Sequence, residues 1–376
     1  MRRLHSTPRE NWQETVSEQG LSFWGENDDP YWDERAYYEF SAAQIDALEA
    51  AAFELHEMSL RVVEHVVSRR DYARFEIPEA FWPLIERSWE RERFSLYGRF
   101  DFCTDGREIK LLEYNADTPT GLIEAAVIQW HWMRDVFGEG GDQWNSMHER
   151  LIETWARLRR ETGENSLLLC GLDDGAEDFL TVQYLRDTAL QAGFSAGYIP
   201  MENIGWNARR RDFCDGRDAP IPLLFKLYPW EWLMREPFGA HIPGAPTRWL
   251  EPAWKAILSN KMALVVLWEL FPDHPFLLRA QTEPFGQNYA KKPILGREGA
   301  NTQLVRNGEI LDSSGGLYKG PFVFQELREL PEFEGRFPVC GAWMIGDYAA
   351  GMGIREDGQR ITTNNSNFVP HVLKAA

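Results

Sequence analysis

A chain of 376 residues with 44% hydrophobic and 26% charged residues holds ample material for a large core and divides by length into two or three lobes, which excludes a disordered or fibrous protein. Its 58 acidic against 40 basic residues give a formal charge of −18, and no Lys/Arg-rich block offsets it, so general attraction to nucleic acid or to an anionic membrane is not expected. Cationic or metal-neutralised partners fit better. Cys103, Cys170, Cys214 and Cys340 are far apart and form no C-x-x-C pair, which reads as four buried thiols in a reducing, cytoplasmic setting. No run approaches the roughly 18 apolar residues of a membrane span.

In chain order, an aromatic, acidic opening segment runs from Phe23 to Trp32. Ser41 can cap a helix from Ala42 to about Val67, with Ile45, Leu48, Ala52, Leu55 and Leu60 near helical spacing. Residues 94–102 and 108–114 read as two strands around Asp105-Gly106, a strong hairpin signal. Helices are predicted at 120–136 and 143–160. A strand at 167–170, a helix at 176–192 and a strand at 195–199 then make a βαβ pattern, which implies a parallel layer. Residues 206–246, rich in Pro, Arg and Trp, read as irregular connection with a short helix at 230–235 and a lobe boundary. After a helix at 260–270, strands at 289–293, 302–305, 309–311, 322–327, 339–345 and 351–355 make the last third antiparallel β. The expected lobes are about 1–119, helical with a hairpin, 120–250, α/β, and 251–376, β-rich, with a cleft between them.

Two constellations carry candidate chemistry. Glu113 and Asn115 are two apart on a predicted strand, so their side chains leave the same face. With Asp101, two residues after Arg99 on the partner strand, they offer oxygen ligands of the kind magnesium takes, completed by water and substrate phosphates. A two-residue Asp105-Gly106 loop puts Asp101 on the face opposite Glu113, and an odd-length loop puts both on one face. A solvated acidic strand face is the alternative reading. In the last third, Lys292 precedes Pro293, and Gly296-Arg297-Glu298-Gly299-Ala300-Asn301 forms a glycine-punctuated turn whose amides suit phosphates, with an ordinary hairpin loop as the alternative. Walker A and G-x-G-x-x-G spacings are both missing, which removes the main support for P-loop and Rossmann chemistry. Lys261, after Ser259-Asn260, is by itself a surface lysine at a helix start.

Together these residues resemble the synthetase domain of the glutathionylspermidine synthase family. The matching segments are Phe100-Asp101, Glu113-Tyr114-Asn115-Ala116-Asp117, Ser259-Asn260-Lys261, Lys292-Pro293-Ile294, Gly296-Arg297-Glu298-Gly299, Phe324-Gln325, Gly353-Ile354-Arg355-Glu356-Asp357 and Phe368-Val369-Pro370-His371. The resemblance covers nearly the whole chain and implies an α+β protein with a circularly permuted ATP-grasp fold, an α/β lobe and an antiparallel β-rich nucleotide lobe. It implies ATP and Mg2+, with Asp101, Glu113 and Asn115 as magnesium ligands. It also implies Lys261 and Lys292 as ATP contacts, Gly296 and Gly299 in the loop over the phosphates, and Gln325 in the strand that receives the adenine. Arg99 and Arg355 would meet the acid substrate and the transferring phosphoryl group. Thr118 and Thr120 stand where the family binds its thiol peptide, in place of the serines that full-length synthases tend to have. Bifunctional members carry an amidase domain ahead of the synthetase; here the synthetase-like region starts almost at once, so a stand-alone form is expected.

The chemistry supports such a site independently. A carboxylate has no usable leaving group at neutral pH, so ATP must first convert it to an acyl phosphate, and phosphoryl transfer asks mainly for positioning and charge neutralisation. The expected activity is an ATP- and magnesium-dependent ligase joining glutathione or a related small peptide to an amine such as spermidine. The same fold acting on another acid or amine is the nearest alternative, followed by a nucleotide-binding protein without catalysis. A two-carboxylate hydrolase using Asp101 and Glu113 leaves the lysines and the loop unexplained. His371 is read as structural.

Overall fold

The chain is described here from a computed structural model over residues 1–25, 30–92, 94–172 and 176–374; Glu26 to Asp29 of the opening segment lie outside the described residues. Its centre is a five-stranded antiparallel sheet drawn from both ends of the chain, in the order Asn367–Val369, Tyr348–Asp357, Phe337–Ile345, Tyr97–Thr104 and Ile109–Asn115. Two of its three inner strands, Tyr97–Thr104 and Phe337–Ile345, are buried at every residue, because both faces of the sheet are covered there. Phe100, Phe102, Ala342, Met344 and Met352 face the long helix Ala42–Arg69, whereas Tyr97, Trp343 and Ile345 pack towards the helix Met147–Thr162. This is the two-residue alternation of a pleated strand, and Arg99 and Asp101 fall on the same side as Tyr97.

The Ala42–Arg69 helix begins as the sequence predicts. Ser41 and Gln44 form a reciprocal capping box, and Ile45, Leu48, Ala52 and Leu55 are buried along its inner stripe. The expected helix at 120–136 begins at residue 122, passes through a π-helical turn, Glu124–Ile128, and continues as the α-helix Gln129–Phe137.

The βαβ pattern forms part of a four-stranded parallel sheet ordered Arg248–Leu250, Leu223–Leu227, Ser166–Gly171 and Ser195–Tyr198. Contrary to the expectation from composition, residues 206–246 are not irregular throughout. The strand Leu223–Leu227 lies inside this sheet and is buried at all five positions. Lys226 interrupts its apolar run, and only its buried partner Asp117 makes a lysine acceptable there.

A second antiparallel sheet, ordered Ala280–Gln281, Phe322–Glu326, Tyr289–Pro293, Gln303–Arg306 and Glu309–Ser313, forms the β-rich part. The antiparallel strands expected in the last third are therefore shared between this sheet and the central one. Arg2–His5, Ala36–Phe40 and His371–Leu373 form a small sheet that ties the two ends of the chain together. His371 is fully buried there, with Nδ1 bonded to Gln129 Oε1 at 2.9 Å, a structural histidine. The four cysteines are free, buried thiols. Among the described residues no helix is long and apolar enough to cross a membrane.

Candidate active site

The hairpin Tyr97–Thr104 and Ile109–Asn115 decides the face of Asp101. Its register places Thr104 opposite Ile109, Phe102 opposite Leu111, Asp101 opposite Glu113 and Arg99 opposite Asn115, so Leu112 is an extra, unpaired residue. This β-bulge shifts the alternation by one and brings Arg99, Asp101, Glu113 and Asn115 to one face. The displaced Leu112 carbonyl accepts a 3.0 Å bond from Lys292 Nζ, and the Leu111 carbonyl accepts one of 3.1 Å from Gln325 Nε2. Lys292 Nζ also donates to Gln325 Oε1 at 2.8 Å, so the bulge and these two side chains position each other.

Charge alternates along the face. Asp101 accepts from Arg99 Nε at 2.7 Å, from Arg355 Nη2 at 2.9 Å and from Asn115 Nδ2 at 3.2 Å. Glu113 accepts from the same Asn115 amide at 3.2 Å and pairs with Lys261 Nζ at 3.0 Å. Lys261 Nζ donates to the Gly296 carbonyl at 2.6 Å, and its backbone N–H donates to Ile294 at 2.9 Å, which ties the start of the Met262–Leu270 helix to the glycine turn. Burial pushes the Glu113 carboxyl up, but Lys261 and Lys292 outweigh it and hold the group well below the usual carboxylate range. Burial lowers the Lys292 ammonium to about 8, against the attraction of Glu113. Burial and the neighbouring Arg99 depress Arg355, while Asp101 outweighs burial and raises Arg99.

These groups line a cavity of about 450 Å³. Arg99, Asp101, Glu113, Asn115, Lys292, Gly299, Gln325, Arg355, Thr118 and Thr120 all border it. Lys261 and Gly296 border instead a cleft of about 30 Å³ on the other side of Glu113 and Asn115. The glycine turn is held down on several sides. Gly296 is buried, Gly299 has φ +69°, and a Cβ there would lie 2.5 Å from the Thr362 carbonyl. Asn301 N–H bonds Gly315 at 3.0 Å.

Several partners were not evident from the sequence. Arg297, in the turn, donates to Thr118 Oγ1 and to Glu231 Oε1, the latter at 3.0 Å. Asp117 and Lys226 form an ion pair at 2.6 Å with both side chains fully buried, and Asp117 Oδ2 also accepts from the Trp230 N–H at 2.9 Å, fixing the segment that presents Thr118 and Thr120. Tyr31 and Glu177 line the cavity, and Tyr31 OH donates to the buried Glu124 at 2.8 Å. Only Arg297 left a signal, as a cation within a glycine turn; the Tyr31–Glu124 and Asp117–Lys226 contacts join residues 93 and 109 apart.

Asp101, Glu113 and Asn115 lie on one wall of the cavity, with the Asn115 Nδ2 donating to both carboxylates, and the two carboxylates fit a hard cation shared with a phosphate ligand. Among the described residues no group of three or more His, Cys, Asp or Glu is arranged to hold a metal alone. Arg99, Lys292 and Arg355, from three strands, and the Asp101 and Glu113 carboxylates line one cavity suited to highly charged small molecules. The chain belongs to the glutathionylspermidine synthase preATP-grasp family, whose model matches residues 3–374. It is 43% identical over 355 residues to a Haemophilus influenzae protein named "Putative acid--amine ligase", covering 91% of this chain and 90% of that one. It is 30% identical over 356 residues to trypanothione synthetase of Crithidia fasciculata, covering 85% and 54% of the two chains. It is 28% identical over 380 residues to the bifunctional glutathionylspermidine synthetase/amidase of Escherichia coli K12, covering 92% and 60%. The chain thus spans little more than half the length of these last two relatives.

Proposed function

We propose that this protein is an ATP- and magnesium-dependent ligase that activates a small carboxylate as an acyl phosphate and joins it to an amine. Glutathione or a related small peptide is the acid and a polyamine such as spermidine the amine. The observation that carries this reading is the cavity of about 450 Å³ in which Arg99, Arg355 and Lys292 face Asp101, Glu113 and Asn115. The names of the relatives, "Putative acid--amine ligase", trypanothione synthetase and glutathionylspermidine synthetase/amidase, agree with it.

ATP is read as lying between the sheet containing Tyr289–Pro293 and the central sheet, in a circularly permuted ATP-grasp arrangement, with sub-lobes of about 1–119, 120–250 and 251–376. In this reading Lys292 and Lys261 neutralise the phosphates, the turn carrying Gly296 and Gly299 covers them, and Gln325 borders the adenine. Asp101, Glu113 and Asn115 hold magnesium, which when bound supplies charge neutralisation to the phosphates. Arg99 and Arg355 orient the acid carboxylate and stabilise the charge that develops on the transferring phosphoryl group, as donors already in place before reaction. Thr118 and Thr120 offer hydroxyls to the peptide. The acidic surface favours a cationic amine, and the cytoplasm is the proposed compartment.

A phosphate-release screen with MgATP and a matrix of small peptides and polyamines tests this reading. Release that requires one acid and one amine together identifies the pair. Release that no acid or amine stimulates overturns the ligase reading.

A further inference from the structure

Joining an ammonium-bearing amine to an acyl phosphate requires a proton acceptor, and the groups assigned above do not supply one. Lys292, Arg99 and Arg355 are cations, and Asp101 and Glu113 are held by Arg99, Arg355 and Lys261. Glu177 lines the cavity but is bonded to Thr120. Asp178, Glu298, Glu326 and Glu329 also border the cavity, the last three exposed to solvent, whereas Glu124 is the carboxyl buried behind Tyr31. It is 1% exposed, sits on the first turn of the π-helix Glu124–Ile128, and has no cationic partner within bonding distance among the described residues. Its Oε1 accepts the 2.8 Å bond from Tyr31, and its Oε2 is buried with no hydrogen-bond partner among the described residues. A carboxyl buried in this way costs stability that an apolar side chain would not, and π-helical turns concentrate at functional sites. Tyr31 reaches the cavity, with its ring held between Phe23 at 4.7 Å and Phe368 at 5.3 Å between centroids.

We propose that Tyr31 and Glu124 form a proton exit for the amine nucleophile, with Tyr31 at the cavity wall and Glu124 behind it. The inference rests on the ligase reading. An N–H bond of the substrate ammonium breaks as an O–H bond forms at Tyr31 Oη, while the phenol's own proton passes to Glu124. The freed nitrogen lone pair forms the C–N bond at the acyl carbon, and the C–O bond to phosphate breaks. The second nitrogen proton leaves on the phosphate, and Glu124 returns its proton to water after product release. The electrostatics agree: burial, reinforced by Glu177, lifts Glu124 to about 7, while burial and Glu124 keep Tyr31 far above its usual range and therefore protonated. Arg99 and Arg355 oppose these shifts without reversing them.

The test follows two products of the same acyl phosphate, formed from glutathione and MgATP. One is the spermidine conjugate, which needs ammonium deprotonation. The other is the hydroxamate made with hydroxylamine, a nucleophile already unprotonated at neutral pH. In Glu124→Gln and Tyr31→Phe, conjugate formation falls at least tenfold more than hydroxamate formation, and the rise of the conjugation rate with pH near 7 disappears. Hydroxamate formation itself reports a folded, competent site, so a collapsed Glu124→Gln is recognised and Tyr31→Phe carries the test. Parallel losses of both products with the pH profile unchanged would overturn the relay and leave the ligase reading standing. A wild-type protein that yields no hydroxamate with glutathione or other small peptides overturns the ligase reading and the relay with it.

Discussion

Replacing Asp117 by alanine strands the Lys226 ammonium inside the parallel sheet. In the native protein the two side chains meet at 2.6 Å with neither exposed, Asp117 Oδ2 accepts the Trp230 N–H at 2.9 Å, and Lys226 Nζ lies 4.7 Å from the centroid of the Trp230 ring. Removing the carboxylate leaves an uncompensated buried charge, which costs about 3–5 kcal/mol. An orphaned backbone amide adds about 1–3 kcal/mol, and the two overlap, so a loss of about 4–6 kcal/mol is expected. That is a large part of the roughly 5–15 kcal/mol that holds a typical domain folded. Asp117→Asn keeps an acceptor for Trp230 and loses mainly the charge. The double variant Asp117→Asn, Lys226→Met removes the stranded ammonium and recovers most of the loss, because a buried pair replaced as a unit is often near neutral. Urea unfolding followed by tryptophan fluorescence measures all three variants, the midpoint falling at unchanged slope. A loss below about 1 kcal/mol in Asp117→Ala, or a double variant no more stable than Asp117→Asn, would refute the reasoning.

Arg355→Lys keeps a charge near Asp101 but loses the planar fork, so a phosphinate mimic of the tetrahedral adduct, titrated calorimetrically with MgATP present, should weaken more than ATP does; equal weakening would count against the role of Arg355. Gly299→Ala puts a methyl 2.5 Å from the Thr362 carbonyl at φ +69°, displacing the turn, and is expected to raise the KM for ATP while Tm falls by only a few degrees; an unchanged KM refutes the turn's contact with phosphates. Burial lowers His371 to about 3 from 6.5 and His56 to about 4, the latter helped by Lys255. Between these values the unfolded chain binds protons that the folded one does not, so their contribution is complete above pH 6.5 and falls with acidification by about 1.4 kcal/mol per pH unit for each histidine. Glu124 acts oppositely: its folded value of about 7 against 4.5 makes its contribution complete below pH 4.5 and lost as pH rises to about 7. His371→Gln should therefore flatten the pH dependence of urea-measured stability between pH 6.5 and 5 by about 1.4 kcal/mol per unit, and an unaltered slope would show that His371 titrates normally.

Local periodicity and turn chemistry account for what the sequence alone determined. The Ala42–Arg69 helix was legible because its apolar stripe repeats near 3.6 residues and Ser41 stands at its cap; the reciprocal bond of Gln44 that completes the capping box is seen in the structure. Glu113 and Asn115 shared a face by the two-residue period of a strand, and the glycine turn and Lys292 stood out by composition. Whether Asp101 joins them was not legible, because the bulge at Leu112 flips the register and is held from a distance by Lys292 and Gln325, 180 and 214 residues away from the carbonyls they bind. The same limit hid the strand Leu223–Leu227, whose lysine looks misplaced until Asp117 is set against it 109 residues away. It also hid the pairing of Tyr97–Thr104 with Phe337–Ile345, which joins the two ends of the chain in one sheet and brings Arg355 to Asp101. A buried charge, a bulge or a bare carboxyl such as Glu124 is unfavourable by itself and persists only because groups remote in sequence compensate it, and it is the tertiary structure that brings those groups into contact.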